Sequence, residues 1–274
     1  MTQLPFKQVD VFTAKPFFGN PVAVVIGAEG LDTAAMQRIA AWTNLSETTF
    51  LLAPTVAGAS YKLRIFTPRQ ELPFAGHPTV GSAHAALESG FARAAGGKLK
   101  QECGAGVLDL AVEDGRVFVT APQPKVQAVD TTLFQGTTMR VDVGPVWIVA
   151  DLGNAGAVDS LAPDMGAIAQ MSRDLGATGA TVFGRTGNAS APIHVRSFAP
   201  AHGIPEDPVC GSGNISVAAY LRETGLLKAF GPSYTARQGM QVGRDGRVAV
   251  RVTPDAIEIG GEAVTCVDGR LRVD

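Results

Sequence analysis

The chain has 274 residues, 46% apolar and 18% charged, enough for one large or two medium packed domains. A net charge of -2 leaves no electrostatic case for nucleic acid or an acidic membrane surface as a partner. No apolar run is long enough to span a membrane, residues 1–10 lack a signal-peptide pattern, and Cys103, Cys210 and Cys266 form neither a disulfide framework nor a zinc motif, so a cytoplasmic protein is expected.

In chain order, Val/Ile/Phe-rich segments at 6–12 and 23–26 predict strands. Residues 32–41 predict a helix with Asp32 as its N-cap. Segments 49–52 and 61–66 predict further strands, and 79–88 a helix that stops near Gly90. Residues 116–120 predict a strand, after which Ala121-Pro122-Gln123-Pro124 breaks the pattern. Residues 215–223 predict another helix, stopping near Gly225. Small residues dominate this helix and the one at 79–88, as suits helices enclosed on most sides.

The chain also repeats itself. Val9-Asp10-Val11 recurs as Val141-Asp142-Val143, an offset of 132. Then NPVAVV at 20–25 parallels GPVWIV at 144–149, and SETTF at 46–50 parallels GATVF at 179–183. RIFTP at 64–68 parallels RSFAP at 196–200, and AGHPTVGSAHAALESG at 75–90 parallels CGSGNISVAAYLRETG at 210–225. Five blocks in one order at nearly constant offset point to two domains of one mixed α/β fold, 1–121 and 122–274, with the last strand a candidate to pack back on the first.

The repeat marks two loop-to-helix junctions, Ala75-Gly76-His77-Pro78 and Cys210-Gly211-Ser212-Gly213-Asn214. A helix start carries unpaired N–H groups and partial positive charge, and glycine lets a ligand approach them, so both are candidate carboxylate sites. Such a site also steadies the charge formed when a neighbouring C–H is deprotonated. Between the halves, Glu47 aligns with Ala180, so a carboxylate stands on one side only. It borders the apolar run Phe50-Leu51-Leu52, which favours a raised pKa and a base that also returns its proton. The second half reads as inserting Glu206-Asp207-Pro208 before its glycine loop. Gly211-x-Gly213 is a poor dinucleotide fingerprint, because Ser216 stands at the third glycine position. His84, His194 and His202 lack metal-ligand spacing, and neither a P-loop nor a GxSxG elbow is present, so no metal or cofactor is expected.

GNPVAVV (19–25), LSETTF (45–50), RIFTP followed by LPFAGHPTVGSAHAA (64–86) and EDPVCGSGN (206–214) resemble the phenazine-biosynthesis PhzF family of isomerases over essentially the whole chain. The resemblance implies a diaminopimelate-epimerase-like fold, two pseudo-symmetric domains that are each a barrel-like sheet around a central helix. It also implies a homodimer, an active site in the interdomain cleft and a small carboxylate substrate. In that family's terms Glu47 shuttles the proton, His77 and Asp207 assist, and Gly76, Gly211, Ser212 and Gly213 bind the substrate carboxylate. Cys210 departs from the Thr usual there. It is similar to the second thiol of cofactor-independent racemases and epimerases, whose first thiol would fall at Ala75. Two alternatives to a PhzF-like isomerase therefore stand: an epimerase pairing Glu47 with a Cys210 thiolate, whose pKa the helix start would lower, and a binding protein without turnover.

Overall fold

A computed structural model describes residues 2–273. The first unit opens with β1 (Gln3–Val11) and β2 (Asn20–Ile26), an antiparallel pair. Helix α1 (Thr33–Thr43) then supplies the crossover that lets β3 (Thr48–Leu52) lie parallel to β2. Asp32 caps that helix, accepting from the Ala35 N–H at 2.7 Å, and Asn44 ends it in the left-handed conformation. Next come β4 (Tyr61–Phe66), antiparallel to β3, and the short β5 (Glu71–Leu72). After α2 (Gly76–Glu88), β6 (Lys98–Cys103) runs parallel to β4, followed by β7 (Gly106–Glu113) and β8 (Arg116–Thr120).

Helix α2 packs against β1, β2, β3, β4 and β8, so the sheet wraps around it. This explains its composition: from His77 to Ala86 all but His84 are buried. A β-carbon at Gly81 would stand 2.5 Å from a Val22 methyl, so only glycine permits that approach. On the sheet's other side Met36 and Ala40 of α1 pack with Val25, Phe50 and Phe66. Strand β2 is therefore covered on both faces, and its unbroken apolar run follows.

The second unit, Ala121–Ile259, repeats the plan. Strands β9 (Lys125–Ala128) and β10 (Thr138–Asp142) lead into β11 (Val146–Asn154), helices α3 (Ala155–Ser160) and α4 (Met165–Asp174), then β12 (Gly179–Arg185) and β13 (Ile193–Ala199). There follow β14 (Ile204–Asp207), α5 (Gly211–Glu223), β15 (Ser233–Gln238) and β16 (Gly246–Val252). The pairings β10–β11, β11–β12, β12–β13 and β13–β15 are antiparallel, parallel, antiparallel and parallel, as in the first unit. Helix α5 packs inside β10–β13 and β16 as α2 does in its own sheet.

The second unit does not extend over the whole 122–274 span. The chain from Gly260 onward belongs to the first unit. Its C-terminal strand, Ala263–Arg272, pairs with β1 from Val11↔Ala263 to Gln3↔Arg272. Lys7 of β1 adds ion pairs to Glu88 at 2.9 Å and Asp268 at 2.8 Å. No helix among the described residues is long and apolar enough to cross a membrane.

Candidate active site

In the first unit Glu47 sits on the turn into β3, and His77 is the second residue of α2. Glu47 Oε2 lies 3.3 Å from His77 Nε2. The Glu47 side chain is 15% exposed, but Oε2 itself is fully covered and has no aligned hydrogen-bond donor among the described residues. Burial pushes its carboxyl up to about 7, against a hydrogen bond from Ser46 that favours the charged form. Ala75 caps α2 without a side-chain hydrogen bond, and Pro78 has no N–H, so Gly76 and His77 are the backbone donors at this helix start.

In the second unit Cys210 caps α5. Its Sγ accepts from the Gly213 N–H at 3.3 Å and lies 3.6 Å from Ser212 Oγ. Gly211 and Gly213 are buried, whereas Ser212 keeps partial exposure. Gly213 is packed so closely that a β-carbon would stand 2.4 Å from Ser197 Oγ. Ser197 in turn shares a 3.0 Å hydrogen bond with Thr181. The Trp147 indole donates to Ser212 Oγ at 3.0 Å. Asp207, three residues before the cap, accepts from the Val209 N–H at 3.0 Å. The expected residues thus gather at two helix starts, Glu47, His77 and Gly76 at one, and Asp207, Cys210, Gly211, Ser212 and Gly213 at the other.

Residues 9–269 match the family model described as phenazine biosynthesis-like protein. The chain belongs to the PhzF family. A Pseudomonas aeruginosa relative named trans-2,3-dihydro-3-hydroxyanthranilate isomerase is 31% identical, covering 96% of this chain and 97% of its own. A Schizosaccharomyces pombe protein named antisense-enhancing sequence 1 is 39% identical, covering 98% and 99%. A Bacillus anthracis PhzF-family crystal structure superposes with a TM-score of 0.88 at 25% identity, over the full length of both chains. A hydroxyproline epimerase from Agrobacterium vitis shares the fold alone, with a TM-score of 0.68 at 14% identity over 98% and 92%. The protein is thus a PhzF-like isomerase of mixed α/β, epimerase-like fold.

Strand register corrects three alignments of this PhzF-type repeat, the first being NPVAVV against GPVWIV, which is one position out because Val22 corresponds to Trp147. Thr48 faces Phe66, and Ala180 faces Phe198, the equivalent residue at offset 132. Starting instead from VDV, Val9 faces Val22 and Val141 faces Trp147; the parallel pairs Ala23↔Thr48 and Ile148↔Ala180 then agree. Glu47 therefore corresponds to Gly179, not to Ala180. A β-carbon at Gly179 would lie 1.9 Å from the Phe198 carbonyl oxygen, so the second unit accommodates no side chain there. Nor is Glu206-Asp207-Pro208 an insertion. Ile65 faces Leu72 and its equivalent Ser197 faces Asp207, which places Glu206 opposite Glu71 in the repeat. Matching by residue type sets the Thr and Phe of SETTF one position late.

Cys210 also departs from its expected chemistry. Sequence logic expects a helix start to lower the thiol pKa. In the fold the thiol is 4% exposed and is pushed well above its ordinary value, chiefly by burial and then by the Asp207 carboxylate. Hydrogen bonds from Ser212 and Gly213 act the other way and do not offset it. We expect iodoacetamide to label Cys210 slowly at pH 8, and Cys210→Thr to keep a hydroxyl cap and most turnover. Rapid labelling near neutral pH would argue for a thiolate. Trp147, Ser197 and Thr181 were missed by sequence reasoning. Only Trp147 carried a signal, a lone indole in a Val/Ile strand.

Proposed function

We propose that this protein moves a proton on a small carboxylate-bearing substrate, with Glu47 as base, without a cofactor. The supporting observation is a covered carboxyl with a pKa of about 7, 3.3 Å from a histidine at a helix start. A base of this kind ionises near neutrality and then gives the proton back, because its two protonation states are close in free energy. The C–H bond breaks, its electron pair spreads into the adjoining unsaturated system, and the same proton bonds to a different carbon. Glu47 begins and ends the cycle as a carboxylate.

The roles of the other residues follow from their chemistry. His77 borders Glu47 and orients it or shares its proton. Gly76 presents backbone N–H at α2; Gly211 and Ser212 present N–H and the Ser212 hydroxyl at α5, where the Gly213 N–H is engaged by Cys210 Sγ and Gly213 serves by its close packing. Both helix starts suit a carboxylate and the charge that builds beside it. Asp207 lies close enough to raise the Cys210 thiol pKa, so Cys210 is better suited to capping α5 than to acting as a base, which favours positional isomerisation over epimerisation. The Pseudomonas relative's named substrate suggests a cyclic, amino-substituted carboxylate as the first compound to test.

The test is incubation with a panel of such carboxylates in deuterium oxide, monitored by proton NMR. An isomerised product, with deuterium at the shifted position when exchange outruns return, is the expected result. Tight binding with neither product nor exchange across the panel would mean a binding protein instead.

A further inference from the structure

The strand register makes the two units comparable position by position, and it exposes a substitution of one polar pair for another. His77 and Ser212 are equivalent, each the second residue of its central helix, at an offset of 135. In the first unit the sheet reaches that residue through Glu47, at 3.3 Å. In the second unit the equivalent of Glu47 is Gly179, which has no side chain. Trp147, its register partner on the neighbouring strand, reaches the helix residue instead. Its indole is 3% exposed and its Nε1 donates to Ser212 Oγ at 3.0 Å.

The two pairs differ in what they can exchange. The Glu47 carboxyl, pushed up to about 7 by burial, gains and loses a proton near neutral pH. An indole N–H is only ever a donor, so the Ser212 oxygen must accept from it. The serine's own hydrogen is then left for another acceptor. Within the unit the sulfur of Cys210, 3.6 Å away, is a weak one. A carboxylate oxygen is a far stronger acceptor. We infer that Trp147 is a positioning residue for substrate binding: it fixes the Ser212 hydroxyl as a donor to the substrate carboxylate. This rests on the carboxylate-binding reading above and extends it to a residue that does not itself contact the substrate.

The experiment measures binding, so it does not depend on the correct substrate being in hand. Anthranilate and aniline are titrated by calorimetry into the wild type, Trp147→Phe, Ser212→Ala and the double variant. Phenylalanine keeps an aromatic ring in the slot and removes only the N–H. Anthranilate is expected to bind and aniline not to. Trp147→Phe should weaken anthranilate about fivefold, the value of one neutral hydrogen bond. On the Ser212→Ala background the same change should do nothing further, because the group it orients is gone. With a turned-over substrate, the loss should appear in KM and leave kcat within about twofold.

A spectroscopic arm covers the case in which Trp147→Phe folds poorly. The chain has two tryptophans, and Trp42 is 79% exposed. In Trp42→Phe, which should retain wild-type activity, emission comes from Trp147 alone and should change with the anthranilate titration. Wild-type binding by Trp147→Phe, losses that multiply in the double variant, or a Trp147 silent to bound anthranilate would each overturn the positioning role while leaving the carboxylate reading intact. Failure of the wild type to bind anthranilate in preference to aniline would overturn both.

Discussion

Glu47→Gln is expected to lower turnover by about 100- to 10,000-fold, the usual cost of removing a general base. The substitution keeps the size of the side chain and its capacity to hydrogen-bond, so the loss isolates the proton-accepting function. The same variant should be more stable than the wild type at pH 8. The folded carboxyl titrates at about 7 against 4.5 for its ordinary value. Between those values the native state binds more protons than the unfolded one, so stability falls as pH rises through that window. Above about pH 7 the penalty is complete, on the order of 3 kcal/mol for a shift of this size. Glutamine has no such penalty. Thermal melts at pH 8 and pH 4.5 should therefore separate the two proteins at the higher pH and bring them together at the lower. In the wild type, turnover should fall about tenfold per pH unit below about 7, where Glu47 is protonated. Unchanged turnover in the variant would dismiss Glu47 as the base, and identical melts at both pH values would show that its burial costs nothing.

Glu206→Ala should destabilise the protein by about 3–5 kcal/mol, whereas Glu71→Ala, its equivalent in the other unit, should cost about 1 kcal/mol or less. Both glutamates hold an arginine from the preceding strand in a two-pronged pair. Arg64 donates to Glu71 at 2.7 and 2.6 Å, and Arg196 donates to Glu206 at 2.9 and 2.8 Å. The difference is water. The first pair is 22% and 38% exposed and the second 5% and 8%. Arg196 also donates to the carbonyls of Val158 and Leu161, tying the end of α3 to β13. Truncating Glu206 leaves a buried guanidinium without its counter-charge; truncating Glu71 leaves Arg64 to solvent. Urea unfolding of the two variants gives the comparison directly. Equal losses would mean that burial does not distinguish the pairs. The result would also assign Glu206, which lies beside Asp207 in the EDP motif, a structural duty.

Much of this was legible in the linear chain because duplication leaves a periodic trace. Five blocks recurring in one order, four of them at an offset near 132, imply two copies of one fold, and small-residue helices at corresponding places imply helices enclosed by sheet. Asp32 caps α1 as its residue type and position require, since capping is a local interaction of a side chain with an amide three residues on. The candidate residues were likewise legible, from the contiguous SETTF, AGHP and EDPVCGSGN motifs. What remained hidden depends on which residues face each other across strands. Residue-type matching set Glu47 against Ala180, and only hydrogen-bond register puts it against Gly179, because a one-residue slip changes which side chains share a face. The Trp147–Ser212 contact joins residues 65 positions apart and has no local signature. That the last strand packs back on the first unit was a candidate from the sequence, but its nine register partners on β1 are a long-range pairing that composition does not encode. For Cys210 the local rule points to a lowered pKa and the fold to a raised one. Helix position is a local property, but burial is the sum of everything packed around the thiol, and here desolvation outweighs the helix start.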